Sequence, residues 1–207
     1  RGLMDDVYAC GPPEVVFAAV RRFLDALRDA TGLEGQVGKF ACYSTSYDLD
    51  SCPFRAQLGA PVGRLTHPDG GLVTRADGSA MRGIMIGGVP VGETFYVMAA
   101  MEQIAERIVS YTQTTCTELA ASPHALWSCL FYCCQPCYDF YLRHVAPAYT
   151  TRFAARIDAA MVAAVEGMTY PGMLGDDISL ARFRQPARMR GCGFRSRELL
   201  APAAFAA

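Results

Sequence analysis

An α+β fold is predicted for this chain, and three observations predict it. The first ten residues, Arg1–Cys10, place two adjacent carboxylates between short apolar runs. Gly, Pro and Asp punctuate short extended segments up to Gly92. Beyond Gly92, apolar residues recur at helical spacing almost to the end. With 52% hydrophobic residues and a positive mean hydropathy, the chain can bury a real core, which excludes a disordered tail.

In chain order, Leu3-Met4 and Val7-Tyr8-Ala9 predict the arms of a tight hairpin with Asp5 and Asp6 at its tip. Such a tip suits Mg²⁺, which takes hard oxygen ligands through one or two carboxylates and substrate phosphates. An acidic surface turn is the alternative reading. A second pair, Asp176-Asp177 in a Gly-rich stretch, reads as a helix cap or solvated turn. Gly11-Pro12-Pro13 breaks the extended run and opens a helix, because a proline at the first helical position gives up an N–H that had no partner anyway. From Glu14 to Ala30, Val16, Val20, Phe23, Leu24 and Leu27 share one face, and Thr31-Gly32 ends it.

A short extended run, Leu33–Tyr43, carries Lys39, the only lysine beside eighteen arginines. An ammonium can shift its pKa and donate a proton where a guanidinium cannot, so Lys39 is a candidate general acid. A surface lysine is the other reading. Leu65–Thr74 reads as a hairpin around a turn, with His67 at the surface.

Helices are expected at Thr94–Leu119, from Ser122-Pro123 through the apolar run Ala125–Leu142, and at Tyr149–Glu166. The second is interrupted by Gln135, Pro136 and Asp139, which argues for a kinked core helix and against a membrane span. Net charge is −1, yet Arg182, Arg184, Arg188, Arg190, Arg195 and Arg197 fall together with no acid among them until Glu198. That run suits sequence-independent phosphate binding, or it is a flexible basic loop. Cys133, Cys134 and Cys137 near His124 and His144 lack the paired knuckles of a structural zinc site, so no zinc is expected. Nine cysteines, an odd number, with no visible signal peptide point to an intracellular protein, nuclear or cytoplasmic and not secreted.

Four segments in this order resemble the reverse transcriptases of non-LTR retrotransposons. Leu3-Met4-Asp5-Asp6 looks like the aromatic-x-Asp-Asp box, with Leu in place of the usual Tyr or Phe. Thr31-Gly-Leu-x-x-Gln36-x-x-Lys39 is similar to the Gly-Leu-x-x-Asn-x-x-Lys motif that follows it. Gly83–Gly92 resembles the primer-grip hairpin, through Gly87, Gly88, Val89, Pro90 and Gly92. Gln185–Ser196 resembles a Gly-rich, Arg-Ser-ending segment found beyond the thumb.

The resemblance implies an α+β chain whose residues 1–92 form the later part of a polymerase palm, residues 93–170 a helical thumb-like bundle, and residues 171–207 an Arg-rich segment. It implies RNA-directed DNA synthesis, in which a primer 3′-hydroxyl attacks a dNTP with Mg²⁺ or Mn²⁺ on Asp5 and Asp6 and with Lys39 near the leaving pyrophosphate. The family's first catalytic aspartate lies upstream of its hairpin, so the chain is expected to be a fragment, inactive alone, whose partners are an RNA template, a DNA primer and dNTP, with no membrane. The alternative is a non-catalytic relic that acts as a nucleic-acid-binding or interaction module.

Overall fold

In the computed structural model the described residues are 7–169 and 171–206, and they build a mixed α+β chain that is mostly helical. It divides into two compact units, residues 1–97 and 98–207. Residues 171–206, expected as a separate Arg-rich segment, belong to the second unit.

In the first unit, α1 (Pro13–Thr31) starts on its proline and stops at Gly32, whose φ of 71° is the left-handed conformation a side chain would resist. Full burial is confined to its first turns, and Val20, Leu24 and Leu27 further along are half-buried. Pro13 and Phe17 are buried, the latter in a small core with Leu49, Cys52 and Ala60, while Phe23 on the same apolar stripe stays 47% exposed. The short helix α2 (Pro53–Leu58) packs beside it, and Arg55 pins the surrounding loop by donating to the carbonyls of Leu49 (2.6 Å) and Ala60 (2.8 Å). Residues 33–43 correct the expectation of an extended run. Val37–Lys39 is a 3₁₀ turn, and the only strand-like contact of that stretch among the described residues is a parallel bridge from Cys42 to Val62.

The hairpin expected at 65–74 is one limb of an eight-residue repeat, Leu65-Thr-His-Pro-Asp-Gly-Gly-Leu72 followed by Val73-Thr-Arg-Ala-Asp-Gly-Ser-Ala80. Equivalent residues close a ring: the Leu65 amide donates to Met81, Met81 to Val73, and Val73 to Leu65. Each limb turns on an aspartate that accepts from the backbone two residues on, Asp69 from Gly71 (2.9 Å) and Asp77 from Ser79 (2.8 Å). The third limb is the antiparallel pair β1 (Gly83–Ile86) and β2 (Val89–Gly92), turning at Gly87-Gly88 with both glycines at positive φ. Glycine at 83 is set by contact: a Cβ there would lie 2.3 Å from the Tyr96 ring. Gly83→Ala is therefore expected to cost about 1–3 kcal/mol by overpacking. Calorimetric melting of the variant checks this, and an unchanged transition would contradict it.

The long helix α3 (Thr94–Glu118) begins in the first unit and continues in the second. Its buried stripe is Tyr96, Val97, Ala100, Met101, Ile104, Ala105 and Ile108. Phe95, at the start of the helix, is 59% exposed, with the Arg75 guanidinium over its ring 5.1 Å from the centre.

The second unit buries Leu126, Leu130, Cys134, Met161, Val165, Leu174, Phe183 and Phe194 in one core. Here the kinked helix takes definite form. α4 (Pro123–Cys129) passes into a π-helical turn, Leu130–Cys134, then a 3₁₀ turn, Gln135–Tyr138, and resumes as α5 (Asp139–His144). Pro136 has no N–H to give and its ring crowds the carbonyl four residues back, so the backbone widens before it and tightens after it. α6 (Pro147–Met168), α7 (Asp177–Arg184) and α8 (Arg197–Ala206) complete the unit, with α8 lying against α5 and α6. Asp176 caps α7, accepting from the amides of Ile178 and Ser179, and these bonds with that of the Ser179 hydroxyl hold its carboxyl below the usual range. No helix among the described residues is long and apolar enough to cross a membrane.

The buried Tyr138 hydroxyl donates to the Thr150 carbonyl, and burial pushes its pKa above the ordinary tyrosine value. Its neutral form is favoured in the fold, so the stabilisation is complete below about pH 10 and is lost as pH rises further. Tyr138→Phe is expected to flatten the alkaline limb of the stability curve, measured by urea titration between pH 8 and pH 11. A limb of unchanged steepness would refute the assignment.

Candidate nucleic-acid interface

Asp5 and Asp6, the expected metal carboxylates, lie outside the described residues. The segment after them is described: Val7–Cys10, expected as the second arm of a hairpin, is exposed and irregular. Its tyrosine has a defined place. The Tyr8 hydroxyl accepts the Gly87 amide at 2.8 Å, which ties the chain two residues after Asp6 to the turn of the β1–β2 hairpin. Around that turn Met85, Ile86 and Val91 are exposed and Pro90 is buried, so the tip offers backbone and apolar surface. Glu93 follows directly and is held by the Arg75 guanidinium and the Arg82 amide. Lys39 ends its 3₁₀ turn as an exposed side chain, and among the described residues no hydrogen bond or ion pair holds its ammonium. The sequence signal for a lysine position is there; the geometry brings nothing to it.

The six arginines of the 182–197 run fall into three environments. Arg197, expected to face phosphate, is 1% exposed: its Nη1 meets Asp158 at 3.3 Å and its Nε donates to the Gln135 carbonyl at 3.0 Å. It is a core cation and corrects that expectation. The break at Pro136 explains the site, because the Asp139 amide closes on the Pro136 carbonyl and not on that of Gln135. Arg195 is half engaged, donating from Nη2 to Asp139 (3.1 Å) while its amide donates to Gln135 Oε1 (3.1 Å). Arg182, Arg188 and Arg190 are exposed and Arg184 half-exposed, and none of the four has an acidic partner among the described residues.

The amides of Cys192, Gly193 and Phe194 donate to the carbonyls of Arg182, Gln185 and Phe183, folding the loop back along the end of α7. Between them a 3₁₀ turn, Ala187–Met189, is closed by Arg190 at φ 63°, the one non-glycine residue at positive φ among those described. A backbone held this way fixes where these arginines leave the chain.

Asp158 was the functional-scale residue the sequence reading missed. It sits on the buried stripe of α6, accepts from the Ser196 hydroxyl (2.8 Å) and from the Arg197 amide (2.8 Å), and so caps α8 from another helix. Its signal was available: an acid at a position that helical spacing assigns to the core. All nine cysteines are free thiols, and among the described residues no three His, Cys, Asp or Glu side chains converge as a metal site requires.

The class the geometry defines is an α+β chain with an ordered, basic, helix-backed surface. No family model matches it, and neither a curated protein nor a solved structure matches it significantly.

Proposed function

We propose that this chain is the later part of the palm together with the thumb of a reverse transcriptase of the non-LTR retroelement type, binding a DNA primer on an RNA template. The observation that carries the reading is the Tyr8–Gly87 hydrogen bond, which joins the residues following Asp5-Asp6 to the tip of the primer-grip-like hairpin.

On this reading Asp5 and Asp6, joined by a third carboxylate from outside these residues, would hold Mg²⁺ or Mn²⁺, and the metal would supply positive charge against the charge developing on the transferred phosphoryl group. The protein's own share is alignment: the hairpin positions the primer end, Lys39 stands near the leaving pyrophosphate, and Arg182, Arg184, Arg188 and Arg190 hold backbone phosphates. The reading also assigns the protein to the cell interior, nuclear or cytoplasmic.

The test is a photocrosslinkable base at the primer 3′-end of an RNA–DNA hybrid. Crosslinks are expected within Gly83–Gly92, with no primer extension by the 207 residues alone. Single-strand affinity is expected to fall with salt at a log–log slope of about −3, and each Arg→Ala change among the four reduces the magnitude of that slope by about 0.7. Crosslinks confined to the second unit would overturn the palm assignment.

A second reading, a nucleic-acid-binding module without catalysis, is favoured by one observation: the ordered Arg188–Arg190 turn is built wholly within the second unit. Binding that persists at full strength in residues 98–207, with no crosslink to the hairpin, would select it.

A further inference from the structure

A cleft of about 360 Å³ opens in the second unit where the π and 3₁₀ turns meet the Pro186–Arg195 loop, within the range of small-ligand sites. Phe131 and Tyr132 supply its aromatic surface, in edge contact at 4.9 Å, and Tyr132 is 73% exposed. Pro136 and Pro186 give flat apolar walls, and Gly193 sits against the Phe131 ring, which a Cβ there would approach to 3.0 Å. The polar groups are few and of one kind. Gln135 is 3% exposed and lines the cleft. Its Oε1 is taken by the Arg195 amide, while its side-chain NH₂ has no partner among the described residues. Arg195 also lines the cleft, with Nη2 on Asp139 and its other guanidinium N–H groups uncommitted. No acidic side chain lines it.

A flat, π-faced ligand with adjacent acceptors on one edge fits this set. Among nucleobases, two neighbouring acceptors occur on the guanine edge carrying O6 and N7 and on the cytosine edge carrying N3 and O2, and guanine has the larger face to stack, whereas adenine offers a donor beside its acceptor. The phosphates need cations, and Arg188 and Arg190 stand on the turn that includes the lining residue Ala187, without acidic partners among the described residues. From this geometry we infer that the cleft is a pocket for one unpaired guanine of a single-stranded nucleic acid, stacked on Tyr132 and read by the Gln135 amide and Arg195. The inference rests on the nucleic-acid part of the proposed function, and not on Asp5, Asp6 or the hairpin.

Anisotropy measurements with labelled single-stranded RNA of about twelve uridines, with or without one central guanosine, test it. The guanosine is expected to raise affinity about tenfold. Tyr132→Ala, at an exposed position, is expected to remove that gain and to weaken all-uridine binding by a smaller factor, since every base can stack on the ring. Gln135→Glu keeps the acceptor for Arg195 and deletes the donors, and is expected to shift preference from guanosine to adenosine. Equal binding of the two strands, or a Tyr132→Ala chain that keeps the guanosine gain, would overturn the pocket while leaving the proposed function standing. Guanosine monophosphate competing as strongly as the guanosine strand would overturn its assignment to a strand. No binding of either strand would remove the pocket and the nucleic-acid reading together.

Discussion

Asp158→Ala is expected to destabilise the second unit by about 3–5 kcal/mol, the cost of leaving a buried charge without its partner. The carboxylate, 6% exposed as a residue, faces the 1% exposed Arg197 and accepts the first amides of α8 together with the Ser196 hydroxyl. Its removal leaves the Arg197 guanidinium with only the longer contact to Asp139, 3.8 Å from Nε, and uncaps a helix at once, and a typical domain has only about 5–15 kcal/mol to lose. The chain's single tryptophan, Trp127, packs on the core of the same unit and reports unfolding in urea. Charge and packing can be told apart. Asp158→Leu combined with Arg197→Met removes both charges and is expected to recover much of the loss, since a buried pair contributes little over well-packed apolar side chains. A loss under 1 kcal/mol for Asp158→Ala would mean that Arg197 reaches water and that its buried place is wrong.

What the sequence made legible, and what it hid, follows from the range of the forces involved. α1, its stop at Gly32 and the Asp176 cap were readable because proline at a helix start, glycine at positive φ and a side-chain oxygen on nearby amides act within a few residues. The kink at Pro136 was readable for the same reason, though its resolution into a π turn and a 3₁₀ turn depends on what the displaced Gln135 carbonyl meets, and that is Arg197, far along the chain. Arg197 itself looked like its five neighbours. Charge runs carry no mark of which member is buried, and only the acid at a core position of α6 betrays it. The 3₁₀ turn at Val37–Lys39 replaced an expected extended run because only Cys42 in that stretch finds a bridge partner, Val62, and a strand needs a ladder to persist. Around the candidate site, the β1–β2 hairpin was legible through the resemblance of Gly83–Gly92 to a primer-grip hairpin, whereas its place as third limb of a repeat required comparing 65–72 with 73–80, eight residues apart. Tyr8 gave no signal at all, since a hydroxyl accepting a distant turn amide has no local pattern.

Phe194→Ala is expected to cost about 3–5 kcal/mol and to loosen the arginine-bearing loop as well. The ring is 2% exposed and stacks on Phe183 with centroids 4.7 Å apart and planes 11° apart. It also meets Trp127 edge-on at 4.9 Å and Phe131 at 5.6 Å. Each aromatic pair adds about 0.5–1.5 kcal/mol beyond burial, so truncation forfeits several contacts and leaves a cavity that three rings cannot fill without leaving their own positions. The loop follows, because Phe194 anchors the return strand whose amides hold Cys192–Phe194 against the end of α7. Two readouts are expected to move together. Trp127 emission shifts red as its ring partner is lost, and trypsin cleaves after Arg188 or Arg190 at protein concentrations where the wild-type chain resists. The size of the effect decides between two pictures of the basic segment. If the melting temperature drops while the loop stays resistant to trypsin, the backbone bonds alone fix the arginines. If both change, the aromatic cluster is what turns a run of arginines into an ordered surface, and nucleic-acid affinity is then expected to fall in the same variant although no arginine has been touched.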